Sequence, residues 1–238
     1  MRRKLNGVWL GRCRYEPVHE LQRELHGRRT RAEIGDTVLL VEHDPVITLG
    51  RGAKPENVLL PPELLAERGL DLVSTGRGGD VTLHAPGQLV CYPILDLSPD
   101  RCDVRRYVAD LTETMRRLAL DWELAGGSVP ELIGLWVDAA APKRWSGWQS
   151  AGRLAKLGAI GVRISRWITL HGFAFNLSPD LSLYSAIVPC GISAHDVTSV
   201  QALTGAAPPV ERCARRALEL LAEVLDAEVL DLRTRAPA

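Results

Sequence analysis

The chain has 238 residues, 46% of them hydrophobic and 24% charged, with a formal net charge of zero. That composition suits a soluble globular protein with a sizeable core and argues against nucleic acid as its main partner. No apolar run approaches a membrane span, and the basic start Met1-Arg-Arg-Lys lacks an apolar signal core, so the expected location is the cytoplasm.

In chain order, residues 16–28 place Val18, Leu21 and Leu25 on one helical face. Residues 37–42 and 46–50 read as a strand pair joined by His43-Asp-Pro45, and residues 61–68 as a short helix stopped at Gly69. Strand-like runs at 70–74 and 89–97 flank a glycine-rich stretch. The strongest helical pattern starts at Asp103, a plausible N-cap, and ends near Trp122. Its expected buried stripe is Val104, Tyr107, Val108, Leu111, Met115, Leu118 and Trp122. Further strands are expected at 133–137, 154–164 and 167–177. A last helix over 209–226 opens on Pro208-Pro209 and carries Val210, Ala214, Ala217, Leu218, Leu221 and Leu225, and residues 228–232 add a small strand. With no repeat or linker, the expectation is a single α/β (α+β) catalytic domain over 1–238, with helices packed on a mixed, largely antiparallel sheet.

Chemistry concentrates in a few places. In Arg77-Gly-Gly-Asp-Val-Thr-Leu-His84, two glycines let the backbone approach a ligand, between a fixed cation and a titratable imidazole. The bland alternative is an edge hairpin with solvated ends. Gly76-Arg-Gly-Gly-Asp-Val81 is no dinucleotide loop, since Val81 stands where the third glycine belongs. Gly147-Trp-Gln-Ser-Ala-Gly152 misses the nucleophile-elbow spacing by one residue. No zinc or calcium pattern occurs, and five scattered cysteines fit a reducing compartment.

Lysine is rare: only Lys4, Lys54, Lys143 and Lys156, against 25 arginines. Lys156 lies in an otherwise uncharged apolar run, so it either snorkels to the surface or is kept for its proton. Cys190, between Pro189 and Gly191, has little side-chain cover, and a thiolate beside an ammonium is a strong nucleophile. Cys102, just before a helix, ranks second, Cys91 and Cys213 read as packing residues, and His195 is an alternative base.

Four blocks in order give these residues a family context: Arg77 to His84 with Pro86-Gly-Gln88, Lys156-Leu-Gly-Ala-Ile-Gly-Val-Arg163, His171-Gly-Phe-Ala-Phe-Asn176, and Pro189-Cys-Gly191. Together they resemble the lipoyl(octanoyl) transferases, departing from the pattern only at Leu83, where an aromatic is usual, and Ala85, where glycine is usual. The resemblance implies the catalytic fold of biotin and lipoate protein ligases. It also implies transfer of an octanoyl group from acyl carrier protein to a lysine of lipoyl domains, in 2-oxoacid dehydrogenases and the glycine cleavage H protein. Cys190 would carry the acyl group as a thioester and Lys156 would lower its pKa. Substrate contacts would fall on Arg77, Gly78, Gly79, Asp80, Val81, Thr82, Leu83 and His84, on Ala159, Ile160 and Gly161, and on Gly172, Phe173 and Ala174. Neither cofactor nor metal is expected, and the expected form is a monomer without nucleic-acid or membrane partners. The small residues Ala159, Gly161, Gly172 and Ala174 are expected to line an acyl tunnel. Two other classes share the core: an ATP-dependent lipoate or biotin ligase, which would need an adenylate site rather than Cys190, and a non-catalytic acyl-binding protein, which would tolerate loss of both Cys190 and Lys156.

Overall fold

The computed structural model describes residues 2–189 and 195–234. Its main sheet runs in the order β12 (Ala227–Thr234), β1 (Arg3–Cys13), β2 (Asp36–His43), β6 (Gln88–Ile94), β10 (Ile168–Asn176), β9 (Leu154–Ser165), β8 (Leu132–Asp138) and β7 (Gly126–Val129). The short β11 (Asp196–Val197) pairs with β9 in parallel. β1 is parallel to both of its neighbours, and every pairing from β2 across to β7 is antiparallel. A smaller sheet orders β4 (Asp71–Ser74), β3 (Val46–Leu49) and β5 (Val81–His84).

Both long amphipathic helices cover one face of the main sheet. α3 (Val104–Leu120) brings Tyr107, Leu111, Met115 and Leu118 onto Leu157, Phe173 and Phe175, and α5 (Val210–Val224) adds Ala214, Leu218 and Leu221 to the same core. The Asp103 carboxylate accepts the backbone N–H groups of Arg105 and Arg106, which caps α3 as its position predicts. Val104 leaves the expected stripe: at the first turn, ahead of the sheet, it is 47% exposed. On the opposite face α1 (Tyr15–Thr30) lies over β10, β6 and β2, and buries Tyr15, Val18 and Gln22.

Some pairings and strands differ from what adjacent segments suggest in the sequence. β2 and β3 are both strands but do not pair with each other, because β1 and β6 occupy both edges of β2. The chain therefore crosses at Asp44-Pro45 into the small sheet, where β3 pairs with β4 and β5. Likewise β5 and β6 flank Pro86-Gly87 without forming a hairpin, since they belong to different sheets. β1 was not foreseen, because its Arg3 and Lys4 mask the alternation that buries Leu5, Gly7 and Trp9. The glycine-rich stretch thus bridges the two sheets.

Candidate active site

A single bulge places the lysine. Along β9 and β8, Leu135 faces Gly158 while Trp136 faces Lys156, so β9 carries one extra residue. Leu157 enters the core beneath α3 and α5, and a Cβ on Gly158 would meet the Met115 sulfur of α3. Two successive residues thus face the helices, which returns Lys156 to the same side as Ala159 and Gly161. Lys156 is only 6% exposed, so it does not snorkel. Its Nζ lies 5.3 Å from the centre of the Trp136 ring. Across the strand, Gly134 has φ +135°, and a Cβ there would come 2.7 Å from Lys156 Cε. Glycine is what leaves room for the lysine stem.

The face that bears Lys156 also borders a cavity of about 470 Å³, open mouth included. Ala159, Ile160 and Gly161 of β9 line it, with His171 to Ala174 of β10, Val90 and Tyr92 of β6, and Tyr15 of α1. The stretch between the sheets adds Arg77, Gly79, Asp80, Thr82 and His84. The buried Arg77 guanidinium is held by Thr48: Nε donates to its Oγ1 at 3.1 Å and Nη2 to its carbonyl oxygen at 2.5 Å. The N–H of Gly78 donates to the carbonyl of Val162, which pins the loop to β9.

The imidazoles in and behind this wall are neutral at pH 7. Burial drives His84 and His171 down to about 3 and His43 to about 4; neighbouring His43 and His19 add to the effect on the first two. His43 Nδ1 donates to the Cys13 carbonyl at 3.1 Å, so its Nε2 accepts the Tyr92 hydroxyl at 2.9 Å. From His84 a buried chain of hydrogen bonds leaves the cavity. His84 Nδ1 donates to Gln88 Oε1 at 2.7 Å, Gln88 Nε2 to Asn176 Oδ1 at 2.8 Å, and Asn176 Nδ2 to the Thr198 carbonyl at 2.9 Å. The Thr198 N–H in turn donates to the Lys156 carbonyl at 2.9 Å. A second, wetter cavity of about 900 Å³ is lined by Pro189, His195, Thr198 and Tyr184, and His195 stands edge-on to Trp136 with ring centres 5.5 Å apart.

The Lipoyl protein ligase A/B catalytic domain family matches residues 14–222. The octanoyltransferase of Chloroflexus aurantiacus is 44% identical over 227 residues, 95% of this chain and 96% of the relative. The chain belongs to the octanoyltransferase family. It is an enzyme of the acyltransferase class. The octanoyltransferase of Solibacter usitatus is 40% identical over 93% of each chain. Solved structures share the fold at low identity. A bipartite lipoate protein ligase of Thermoplasma acidophilum, solved with its E2 lipoyl domain, has a TM-score of 0.73 at 14% identity, covering 98% of this chain and 88% of that one. A biotin protein ligase of Aquifex aeolicus has a TM-score of 0.52 at 13% identity, covering 92% and 70%. This is the biotin and lipoate ligase architecture.

Against that family, the residues expected to contact substrate gather around one cavity from three separate segments. Arg77, Gly79, Asp80, Thr82, His84, Ala159, Ile160, Gly161, Gly172, Phe173 and Ala174 line it. Val81 and Leu83 alternate away from Thr82 and His84 into the small core, and Gly78 serves through its N–H on Val162. Cys190 lies outside the described residues. Cys91 and Cys213 are buried, with burial raising both thiols, and Cys102 sits exposed beside α3; no described cysteine lines the cavity. Tyr15, Val90, Tyr92 and His171 were not among the expected contacts. Only His171, inside a quoted block, carried a sequence signal, because the others come from elements whose spacing says nothing about a shared wall.

Proposed function

We propose that this enzyme moves an octanoyl group from the phosphopantetheine thiol of acyl carrier protein to a lysine of a lipoyl domain, through a thioester on Cys190. Among the described residues no helix is long and apolar enough to cross a membrane. The free thiols and soluble substrates fit a cytoplasmic enzyme, with residues 1–238 acting as one catalytic domain. The observation that carries the reading is the buried Lys156 on the cavity side of β9, in phase with Ala159 and Gly161. An ammonium so enclosed favours a thiolate over a thiol nearby.

In the first half-reaction the Cys190 thiolate attacks the carrier thioester, a new C–S bond forms as the carrier's C–S bond breaks, and the departing carrier thiolate takes a proton from the Lys156 ammonium, which leaves Lys156 neutral. One thioester replaces another, so the exchange is close to balanced and requires no nucleotide. In the second, the acceptor lysine amine attacks the acyl-enzyme, Lys156 takes the amine's proton, and the Cys190 thiolate departs as the amide forms. The acyl chain lies along Ala159, Gly161 and Ala174, where burial contributes roughly 0.8 kcal/mol per methylene. The acceptors are lipoyl domains of 2-oxoacid dehydrogenases and the glycine cleavage H protein.

Incubation with octanoyl carrier protein, without ATP, followed by intact-mass analysis tests the reading. One octanoyl adduct is expected, mapped to Cys190, absent in Cys190→Ser and discharged by an apo lipoyl domain. Lys156→Arg keeps the charge but takes no proton, so it should load more readily than it discharges. An adduct on Cys102 or Cys13, or a strict need for ATP, overturns the assignment.

A further inference from the structure

Lys156 and the backbone that leads into Cys190 are carried by different sheets. Lys156 stands on β9 of the main sheet. Ahead of the cysteine, Ala186 and Ile187 are buried in the small core with Ile47, Val81 and Leu83. The approach of thiol to amine therefore depends on how the small core is fixed to β9. A path of hydrogen bonds makes that connection. The Gly78 N–H donates to the Val162 carbonyl of β9 at 2.9 Å. Two residues on, Asp80 Oδ1 accepts the N–H groups of Lys54 and Val81, at 3.1 and 2.8 Å, and its Oδ2 accepts from Asn57 Nδ2. Backbone bonds from Gly50 to Asp80 and from Gly52 to Gly79 hold the start of this second segment, and the Asn57 amide holds its end. There the Asn57 carbonyl accepts the Val188 N–H at 2.8 Å, and the Leu59 N–H donates to the Ala186 carbonyl at 2.8 Å. Val58 and Ile187 face each other between these bonds as an antiparallel bridge. Val188 is two residues ahead of Cys190.

We propose that Asn57 is a positioning residue for the nucleophile: through Asp80 and Gly78 it ties the backbone entering Cys190 to the strand that carries Lys156. The inference rests on the octanoyltransferase reading. Misplacement of reacting groups by about 1 Å costs about a hundredfold in rate, so the loss of one amide here should show in chemistry before it shows in stability. Asn57 is only half-buried, and its removal leaves the fold standing. The two oxygens of Asp80 have separate partners, which makes the pair reversible. In Asp80→Asn the side-chain oxygen still serves Lys54 and Val81, and the new amide can donate to a carboxylate at position 57. Asn57→Asp alone sets one carboxylate against another; together with Asp80→Asn it restores the hydrogen bond with the roles exchanged.

Loading from octanoyl carrier protein is followed by rapid-quench intact mass over a range of donor concentrations, well below each Tm. Asn57→Ala should lower the limiting rate on the order of tenfold or more, with the half-saturating donor concentration unchanged. Asn57→Asp should fall at least as far, and the double variant Asn57→Asp with Asp80→Asn should recover most of the rate. Alkylation of Cys190 by iodoacetamide, mapped by peptide mass, needs no acyl donor. Its pH midpoint should rise in Asn57→Ala, as the thiolate loses the Lys156 ammonium, and return in the double variant. An Asn57→Ala protein that keeps the parent rate or the parent midpoint makes the contact merely structural and overturns the proposal. So does a double variant no faster than Asn57→Asp. A wild-type protein that takes no octanoyl group overturns the parent reading instead, and the alkylation series still judges this one, so the two failures are distinguishable.

Discussion

Removal of the Asn176 amide tests the link between cavity and lysine most directly. Asn176 is 4% exposed, accepts from Gln88 at 2.8 Å and donates to the Thr198 carbonyl at 2.9 Å. Asn176→Ala deletes both bonds, each worth about 1 kcal/mol net, and strands a buried carbonyl at a cost of about 1–3 kcal/mol. Gln88 Nε2 keeps weaker partners in the Leu83 carbonyl and the Tyr184 hydroxyl, both at 3.3 Å, so its share of the loss is softened. The sum is about 2–4 kcal/mol, a fall in Tm of roughly 4–16 °C for a chain of this size. Turnover should fall further than stability alone explains. The Thr198 N–H holds the Lys156 carbonyl, and a displacement of about 1 Å there costs about a hundredfold in rate. Thermal unfolding and acyl transfer, measured on the same preparation below the transition, separate the two effects. Because Asn176 grips the backbone of residue 198, Thr198→Val should preserve the rate. An Asn176→Ala protein with the parent Tm and turnover, or a Thr198→Val protein as damaged as Asn176→Ala, refutes the reasoning.

Glycine substitutions should divide sharply. A Cβ at Gly172 would run into the Cys91 carbonyl oxygen and lie 2.7 Å from Pro93 Cδ, so Gly172→Val should cost about 3 kcal/mol or more and yield little folded protein on gel filtration. At Gly161 a Cβ would lie 3.0 Å from Arg77 Cδ and 3.2 Å from the Gly78 carbonyl oxygen, a milder crowding, so Gly161→Val should still fold, less stably, and load octanoyl poorly. A well-folded Gly172→Val would contradict the packing described. Acid should also weaken the fold early. His43, His84 and His171 have folded pKa values of about 4, 3 and 3, below the unfolded value near 6.5, so the unfolded chain binds more protons between these limits. Stability is full above pH 6.5 and falls on acidification by up to roughly 1.4 kcal/mol per pH unit for each ring. Urea midpoints at pH 7.5 and 5.0 check this, and equal midpoints would count against the buried neutral rings.

Much of the helical layer was legible because burial follows a single period. The stripes of α3 and α5 announce themselves, and so do the runs that become β9 and β10. What escaped was set by distant partners. β1 depends on β2 and β12, which no local pattern reveals, and the β2–β3 link looks like a hairpin until both edges of β2 are known to be taken. At the site, the four blocks mark three of the cavity's walls, yet Tyr15 and Tyr92 join it from elements with no shared spacing. Why Gly172 must be small escaped for a related reason. Its small size answers to the backbone of β6, a neighbour in space and not in sequence.

The bulge in β9 makes the chemistry of this protein a matter of parity. A strand offers each residue one of two sides, and by turning Leu157 and Gly158 to the same side the bulge keeps the Lys156 amine on the cavity side, away from Met115 and Phe175. Pairing Leu157 opposite Trp136 in an unbroken strand would turn Lys156 to the helix side, whereas deleting Leu157 would leave Lys156 opposite Trp136 and remove only a core side chain. The side on which the lysine emerges is therefore set by how the strand absorbs one residue, and not by the lysine's own neighbours in sequence.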